Sequence, residues 1–206
     1  MEPMPEEWNR AVAVVAHPDD LEYGAAAAVA RWTSQGKHVA YLLATRGEAG
    51  IQGMAPDEVG PLRVEEERRS AAVVGVHDVH FLDHADGLVE NGLPLRRDLA
   101  AVLRAERPDV VITMNFDLTW GDTGMVNHAD HRAVGLAVLD AVRDAANPWV
   151  FTDAGPAWGG RHRGVRGRRD GSHPLRRRHG DDRRGGRLAA RAQGLHRRPG
   201  PGLRPG

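Results

Sequence analysis

Two short clusters of histidine and aspartate give this chain the means to hold a metal ion and to move protons beside it. Ala16-His17-Pro18-Asp19-Asp20 follows the apolar run Ala11-Val12-Ala13-Val14-Val15, and Asn127-His128-Ala129-Asp130-His131 comes much later in the chain. The chain has no cysteine, so any metal must be held by nitrogen and oxygen, a donor set that suits zinc. The two clusters therefore predict metal-assisted hydrolysis.

Three of these side chains can act as ligands while a fourth position stays open to water and substrate. We assign His17, Asp20 and His131 to one zinc ion per chain, although another divalent metal would also suit these donors. Asp19, beside the ligand Asp20, is a candidate general base. His128 precedes the ligand His131 by one helical turn and is a candidate proton donor to a departing amine.

The aspartates also have a simpler interpretation, as helix N-caps. Asp19 or Asp20 could cap a helix that begins at Leu21, and Asp130 could cap one that begins at His131. Alternatively, Asp130 could hold an imidazole in one tautomer without contacting the metal. Capping requires no histidine, whereas each cluster contains at least one, and this favours the metal interpretation.

Strand and helix patterns alternate along residues 11–151. Continuous apolar runs predict strands buried on both faces of a sheet, and amphipathic stretches predict helices between them. The predicted strands are Val12–Ala16, Val39–Leu43, Val79–Leu82, Val110–Met114 and Trp149–Phe151. The predicted helices are Leu21–Gln35, Pro61–Val74, Leu95–Arg107 and His131–Ala145. The alternation predicts an α/β layered fold with a mainly parallel sheet flanked by helices.

The polar clusters all follow predicted strands. In open α/β sheets, ligands bind outside the carboxyl ends of the strands. We therefore expect the loops at 17–20, 45–50, 83–87 and 115–131 to meet at one rim of the sheet.

Length and composition set the remaining limits. A chain of 206 residues fits one domain with one core. Its acidic start lacks the basic and apolar segments of a signal peptide, and no apolar run is long enough to cross a membrane. We therefore expect a cytoplasmic protein with no membrane partner.

The end of the chain differs in composition from the rest. We assign residues 1–155 to the folded domain and residues 156–206 to an Arg/Gly-rich disordered tail. Residues 159–206 hold 15 of the 28 Lys and Arg residues but 3 of the 28 Asp and Glu residues, a composition that cannot bury a core. The tail could be an out-of-frame translation beginning near residues 153–160, a true disordered segment or an arm for nucleic acid. Residues 159–206 contain no Phe, Tyr or Trp for base stacking, so a nucleic-acid partner is disfavoured.

Four motifs resemble those of the PIG-L/LmbE zinc deacetylases over about residues 11–152. They are Ala16–Asp20, Thr45–Gly50, Arg63 with Glu66 before Val74-Gly75-Val76, and His128–Gly135. The resemblance implies a Rossmann-like fold and zinc-dependent removal of an N-acetyl group from an N-acetylglucosamine-type sugar or sugar conjugate, with release of acetate. It also implies that His17, Asp20 and His131 bind zinc, that Asp19 is the general base, and that His128 stabilises or protonates the reacting group.

The resemblance further implies that Glu48, Arg63 and Asp86 line a sugar pocket. The chain departs from the family pattern at Ala129, where proline is usual, and in its tail, where family members continue with further strands. An amidase of a larger sugar conjugate and a truncated or inactive family member therefore stay open as alternatives. A homo-oligomeric state also stays open.

Overall fold

The computed structural model describes residues 4, 6–120, 123–159 and 165–166. All of them belong to one compact unit formed by residues 1–176. Most of the predicted tail, residues 156–206, lies outside the described residues, and its assignment stays a prediction.

Five strands form one parallel sheet. They are β1 (Arg10–Val15), β2 (His38–Leu43), β3 (Val79–Phe81), β4 (Val110–Thr113) and β5 (Val165–Arg166). Their order in the sheet is β3-β2-β1-β4-β5, and every pairing is parallel. The predicted α/β fold with a mainly parallel sheet is confirmed, and its central strand is the apolar run that precedes the first cluster.

Five helices accompany the sheet in the described part of the chain. They are α1 (Asp20–Gly24), α2 (Ala26–Ser34), α3 (Pro56–Val73), α4 (Leu93–Glu106) and α5 (Ala129–Ala146). None of them is both long enough and apolar enough to cross a membrane.

Two predicted helices differ from those observed. The helix predicted over Leu21–Gln35 is divided into α1 and α2, because the backbone leaves helical geometry at Ala25 (φ −144°, ψ −6°). The preceding Gly24 lowers the local helix propensity, and the break lets α2 bury its own apolar face. Helix α3 begins earlier than predicted, at Pro56, whose fixed φ suits a first helical turn, and Pro61 lies inside the helix.

The predicted strand Trp149–Phe151 is wrong. These residues form bends and turns, with Trp149 85% exposed and Phe151 at φ 49°. Their backbone carbonyls accept hydrogen bonds from a side chain and not from a neighbouring strand. The buried guanidinium of Arg104 donates to the carbonyls of Val150 and Phe151 at 2.7 and 2.5 Å. Among the described residues, the last strand along the chain is β5, which falls in the segment assigned to the tail.

The core lies on both faces of the sheet. Val12 and Val14 of β1 pack in a cluster with apolar residues of α4 and α5. Ala11, Ala13 and Val15 point to the opposite face and pack with residues of α2 and α3. Because alternate side chains of β1 are buried on opposite sides, the strand is apolar from Ala11 to Val15.

The topology places a crevice beside β1. The chain passes from β1 to β2 on one side, and β4 lies on the other side, so the loops after β1 and β4 meet where the strand order reverses. These two loops carry the two clusters of histidine and aspartate.

Candidate metal centre

His17, Asp20 and His131 converge at the carboxyl ends of β1 and β4. His131 Nε2 lies 3.2 Å from Asp20 Oδ1 and 3.3 Å from His17 Nδ1, and His17 Nδ1 lies 3.7 Å from Asp20 Oδ2. Around a tetrahedral ion with bonds of about 2.0–2.1 Å, ligand atoms lie about 3.3–3.4 Å apart. The donor set and its separations therefore fit a small divalent cation.

Two carboxylates determine which nitrogen of His17 faces this centre. His17 Nε2 lies 3.1 Å from Asp130 Oδ2 and 3.1 Å from Asp86 Oδ1. Because carboxylates accept hydrogen bonds, Nε2 carries the proton and Nδ1 keeps its lone pair for a metal. Asp130 is fully buried and also accepts from the backbone of Gly87 at 2.8 Å and of Val89 at 3.2 Å.

His17, Asp86 and Asp130 form a second compact group of donor atoms, all within 4.8 Å of one another. Hydrogen bonds account for this group, because both oxygens of Asp130 accept backbone N–H groups and Nε2 of His17 supplies a further proton. The group of His17, Asp20 and His131 is therefore the better candidate for a metal site.

Asn127 orients His131, a role that the sequence analysis missed. Asn127 is buried, and its Nδ2 donates to the carbonyls of Asn115 and Asp117 at 2.9 and 3.1 Å. Its Oδ1 therefore faces His131 Nδ1, 3.0 Å away, and accepts that proton, which leaves Nε2 free as a ligand. The available signal was the position of Asn127 at the start of the second cluster.

Asp20 is fixed by the backbone that precedes it. Its Oδ2 accepts from the N–H groups of Ala16 at 3.1 Å and His17 at 2.9 Å. Oδ1 is the oxygen that faces His131. Asp20 can thus present one oxygen to a cation while the other holds the loop in place.

The N-cap interpretation of the aspartates is wrong. Asp19 occupies the N-cap position of α1, but its side chain makes no capping hydrogen bond there. The N-cap of α5 is His128, whose Nδ1 accepts from the backbone N–H of Asp130 at 3.2 Å. The carboxylates of Asp20 and Asp130 are bound to groups outside α1 and α5.

Asp19 interacts electrostatically with Asp20 and His17, and its side chain is 53% exposed. Partial burial raises the pKa of its carboxyl above the usual value; the Arg63 guanidinium opposes this rise and the Asp20 carboxylate adds to it. Arg63 Nη2 contacts Asp19 Oδ2 at 2.7 Å. A carboxylate with a raised pKa is a stronger base, as proton abstraction from water requires.

His128 borders the same space. Its ring centroid lies 4.9 Å from that of His17 and 5.3 Å from that of His131, and the three residues offer ligand nitrogens within 4.8 Å of one another. Its Nδ1 is already an acceptor, so Nε2 is the nitrogen that carries a proton.

The three residues expected around a sugar pocket all lie beside the centre, where they make contacts within the protein. Glu48 accepts from the backbone of Asp86 at 2.8 Å and of Arg46 at 3.1 Å. Asp86 Oδ2 accepts from the backbone of Ala49 at 2.9 Å. Arg63 binds Asp19, as described above. Glu48 and Asp86 therefore join two rim loops, and the sugar contacts of all three residues stay a prediction.

An open parallel sheet with a His/Asp centre at the carboxyl ends of its strands defines an α/β protein with a candidate metal site. Residues 12–142 match the family model for PIG-L, described as GlcNAc-PI de-N-acetylase. The chain belongs to the PIG-L family, so the resemblance drawn from the four motifs is confirmed.

Two of the curated relatives that the chain matches are named as deacetylases. The chain is 32% identical over 142 residues to diacetylchitobiose deacetylase of Thermococcus kodakarensis, covering 68% of this chain and 51% of that protein. It is 29% identical to 1D-myo-inositol 2-acetamido-2-deoxy-alpha-D-glucopyranoside deacetylase of Thermobifida fusca, covering 68% and 56%. A solved structure of N,N'-diacetylchitobiose deacetylase from Pyrococcus horikoshii superposes with a TM-score of 0.67 at 25% identity, covering 75% and 59%. The chain spans about half the length of the curated relatives it matches.

Proposed function

We propose that this protein is a zinc-dependent N-deacetylase that hydrolyses the acetamide of an N-acetylglucosamine-type sugar or sugar conjugate and releases acetate. The observation that carries the proposal is the approach of His17 Nδ1 and Asp20 Oδ1 to His131 Nε2, at 3.3 and 3.2 Å, with the partly exposed Asp19 next to Asp20 in the chain. Membership of the PIG-L family and the names of the relatives support the substrate class.

His17, Asp20 and His131 are the residues that would hold zinc. When bound, the ion supplies Lewis acidity, which lowers the pKa of water and polarises the amide carbonyl. The hydrogen bonds that His17 Nε2 donates to Asp130 and that His131 Nδ1 donates to Asn127 keep the two imidazoles in the tautomers that this role requires.

Asp19 transfers a proton from the attacking water to the departing amine. Arg63 occupies Oδ2, so Oδ1 is the oxygen that accepts a proton from the attacking water. The raised pKa of Asp19 allows the same carboxyl to pass that proton to the amine nitrogen as the C–N bond breaks. One residue can thus serve as base in the first step and as acid in the second.

His128 is suited to stabilise the oxyanion of the tetrahedral intermediate. Its Nδ1 accepts a hydrogen bond from the backbone N–H of Asp130, which leaves Nε2 as the ring nitrogen that can donate. A neutral Nε2–H can donate a hydrogen bond to an oxyanion, whereas acid catalysis by an imidazolium would break the N-cap of α5. Of the two roles implied for His128, the structure favours stabilisation.

Glu48, Asp86 and Arg63 are proposed to contact the sugar. Glu48 Oε1 and Asp86 Oδ2 each retain a second lone pair after accepting from a backbone N–H, and this lone pair can accept a sugar hydroxyl. Arg63 is partly exposed and can donate to an acceptor on the substrate.

The test is hydrolysis of N,N'-diacetylchitobiose and N-acetylglucosamine by the full chain loaded with zinc, with acetate and primary amine measured together. We expect the two products in equal amounts. Asp19→Asn should keep its zinc and lose at least about 100-fold in kcat, because it lacks the base. The exposed Asp57→Asn is the matched control and should retain full turnover. A folded, zinc-loaded chain that releases no acetate would contradict the proposal, and so would full turnover by Asp19→Asn.

A further inference from the structure

One face of α3 holds the loop between His17 and Asp20 at three points. Arg63 Nη2 donates to the carbonyl of Pro18 at 2.8 Å and to the carboxylate of Asp19 at 2.7 Å. Glu67 Oε2 accepts from the backbone N–H of Asp19 at 3.3 Å. Glu67 follows Arg63 by four positions, so the two side chains lie on the same face of the helix.

Asp19 requires this support because of its backbone conformation. Its φ is 93°, in the left-handed region that side-chain-bearing residues seldom adopt. Such a conformation persists where surrounding contacts hold it, and it is common at active sites. The conformation also determines where the Asp19 carboxylate points.

The buried position of Glu67 is energetically unfavourable for a carboxyl group. The residue is 2% exposed, and its Oε1 is a buried oxygen without a hydrogen-bond partner among the described residues. Burial raises its pKa to about 7, and the neighbouring Glu22 carboxylate adds to the rise. A buried acid with an unsatisfied oxygen lowers stability, so the contact of its other oxygen with Asp19 calls for a functional explanation.

We propose that Glu67 is a positioning residue for deacetylation: its carboxylate holds the backbone of Asp19 so that the Asp19 side chain faces the metal centre. The inference rests on the proposed function, in which Asp19 is the base. Glu67 reaches the reaction through Asp19 and does not contact the substrate itself. Arg63 fixes the same loop from the neighbouring turn of α3, but it binds the Asp19 carboxylate and the Pro18 carbonyl, whereas Glu67 accepts from the backbone N–H of Asp19.

Three variants of α3 test this role. Glu67→Leu removes the acceptor, and we expect kcat to fall about 10- to 100-fold with KM changed less than about 3-fold, because a displaced base affects the chemical step. Glu67→Gln keeps an oxygen that can accept from Asp19, and we expect kcat within about 3-fold of the parent protein. Glu65→Leu, on the exposed side of the same helix, is the matched control and should leave both constants unchanged.

A structural readout separates positioning from folding. Glu67→Leu replaces a buried acid by an apolar side chain of similar size, so its thermal midpoint at pH 8 should equal or exceed that of the parent protein. The amide hydrogen of Asp19 should nevertheless exchange at least about 10-fold faster in Glu67→Leu, because it has lost its acceptor.

The outcomes are distinct. Unchanged kcat in a folded Glu67→Leu protein, an equal loss in the Gln and Leu variants, or unchanged exchange at Asp19 would each overturn the positioning role. Absence of deacetylation by the parent protein, with exchange at Asp19 faster in Glu67→Leu, would instead contradict the proposed function and leave the structural link intact.

Discussion

Asp130→Asn tests whether the carboxylate behind His17 determines metal affinity. Asp130 is fully buried and receives hydrogen bonds from His17 Nε2, Gly87 N and Val89 N. Asparagine has nearly the same shape but a single acceptor oxygen. The substitution therefore changes hydrogen bonding and charge while volume stays constant.

The structure determines which bond is lost. If the amide oxygen replaces Oδ2, it retains the bonds from His17 and Gly87, and the NH2 group then faces the N–H of Val89. One buried donor left unpaired costs about 1–3 kcal/mol of unfolding free energy. Loss of the negative charge behind His17 should raise the dissociation constant for zinc by about 10- to 100-fold.

Two measurements separate these effects. Urea unfolding of the metal-free protein reports the stability loss, and competition with a chromophoric chelator reports zinc affinity. Asp140→Asn is the matched control, because it makes the same substitution on the same helix at a side chain that is 52% exposed. A loss of stability with zinc affinity unchanged within about 2-fold would refute our reasoning and reduce Asp130 to an anchor for the loop after β3.

Three further predictions concern stability. Gly135→Ala would place a Cβ 2.2 Å from the Cβ of Phe116, and we expect a loss of about 1–3 kcal/mol in urea unfolding. Gly60→Ala, where the nearest atom is 3.5 Å away, should be neutral or stabilising, and an equal loss in both variants would contradict the packing argument. Arg104→Met removes a buried guanidinium that binds six backbone carbonyls and should cost about 3–5 kcal/mol by the same measurement; a loss below about 1 kcal/mol would contradict its role. Burial raises the pKa of Glu67 to about 7, so the folded protein keeps the carboxyl proton of Glu67 up to about that pH, whereas the unfolded chain releases it at about pH 4.3. The free energy of unfolding should therefore fall as the pH rises from about 4.3 to 7, by an amount on the order of 3 kcal/mol. Glu67→Gln should abolish that part of the pH dependence in urea titrations at pH 5 and 8, and an unchanged slope would contradict it.

Strands β1 to β4 were predictable because each contains a short apolar run. The predicted strand Val12–Ala16 overlaps β1 (Arg10–Val15), since burial on both faces leaves no polar position from Ala11 to Val15. The error at Trp149–Phe151 arose because the same kinds of residue also occur in turns. The carbonyls of this segment are bound by Arg104 from α4, a contact that no local pattern reveals.

Much of the candidate centre was also predictable. Residues adjacent in sequence, such as Asp19 and Asp20, could be assigned to different roles from the chemistry that each role needs. The roles of Asn127 and Glu67 could not be predicted from the sequence, because they depend on which oxygen faces which nitrogen across the fold. The same holds for Asp86, which the resemblance assigned to a sugar pocket and which also lies 3.1 Å from His17 Nε2.

The central claim is that His17, Asp20 and His131 hold the catalytic ion. A zinc-edge anomalous difference map from a crystal of the zinc-loaded protein tests it most directly. We predict one strong peak in contact with His17 Nδ1, Asp20 Oδ1 and His131 Nε2. A peak between His17 Nε2 and the carboxylates of Asp86 and Asp130, or no peak near either group, would contradict our account.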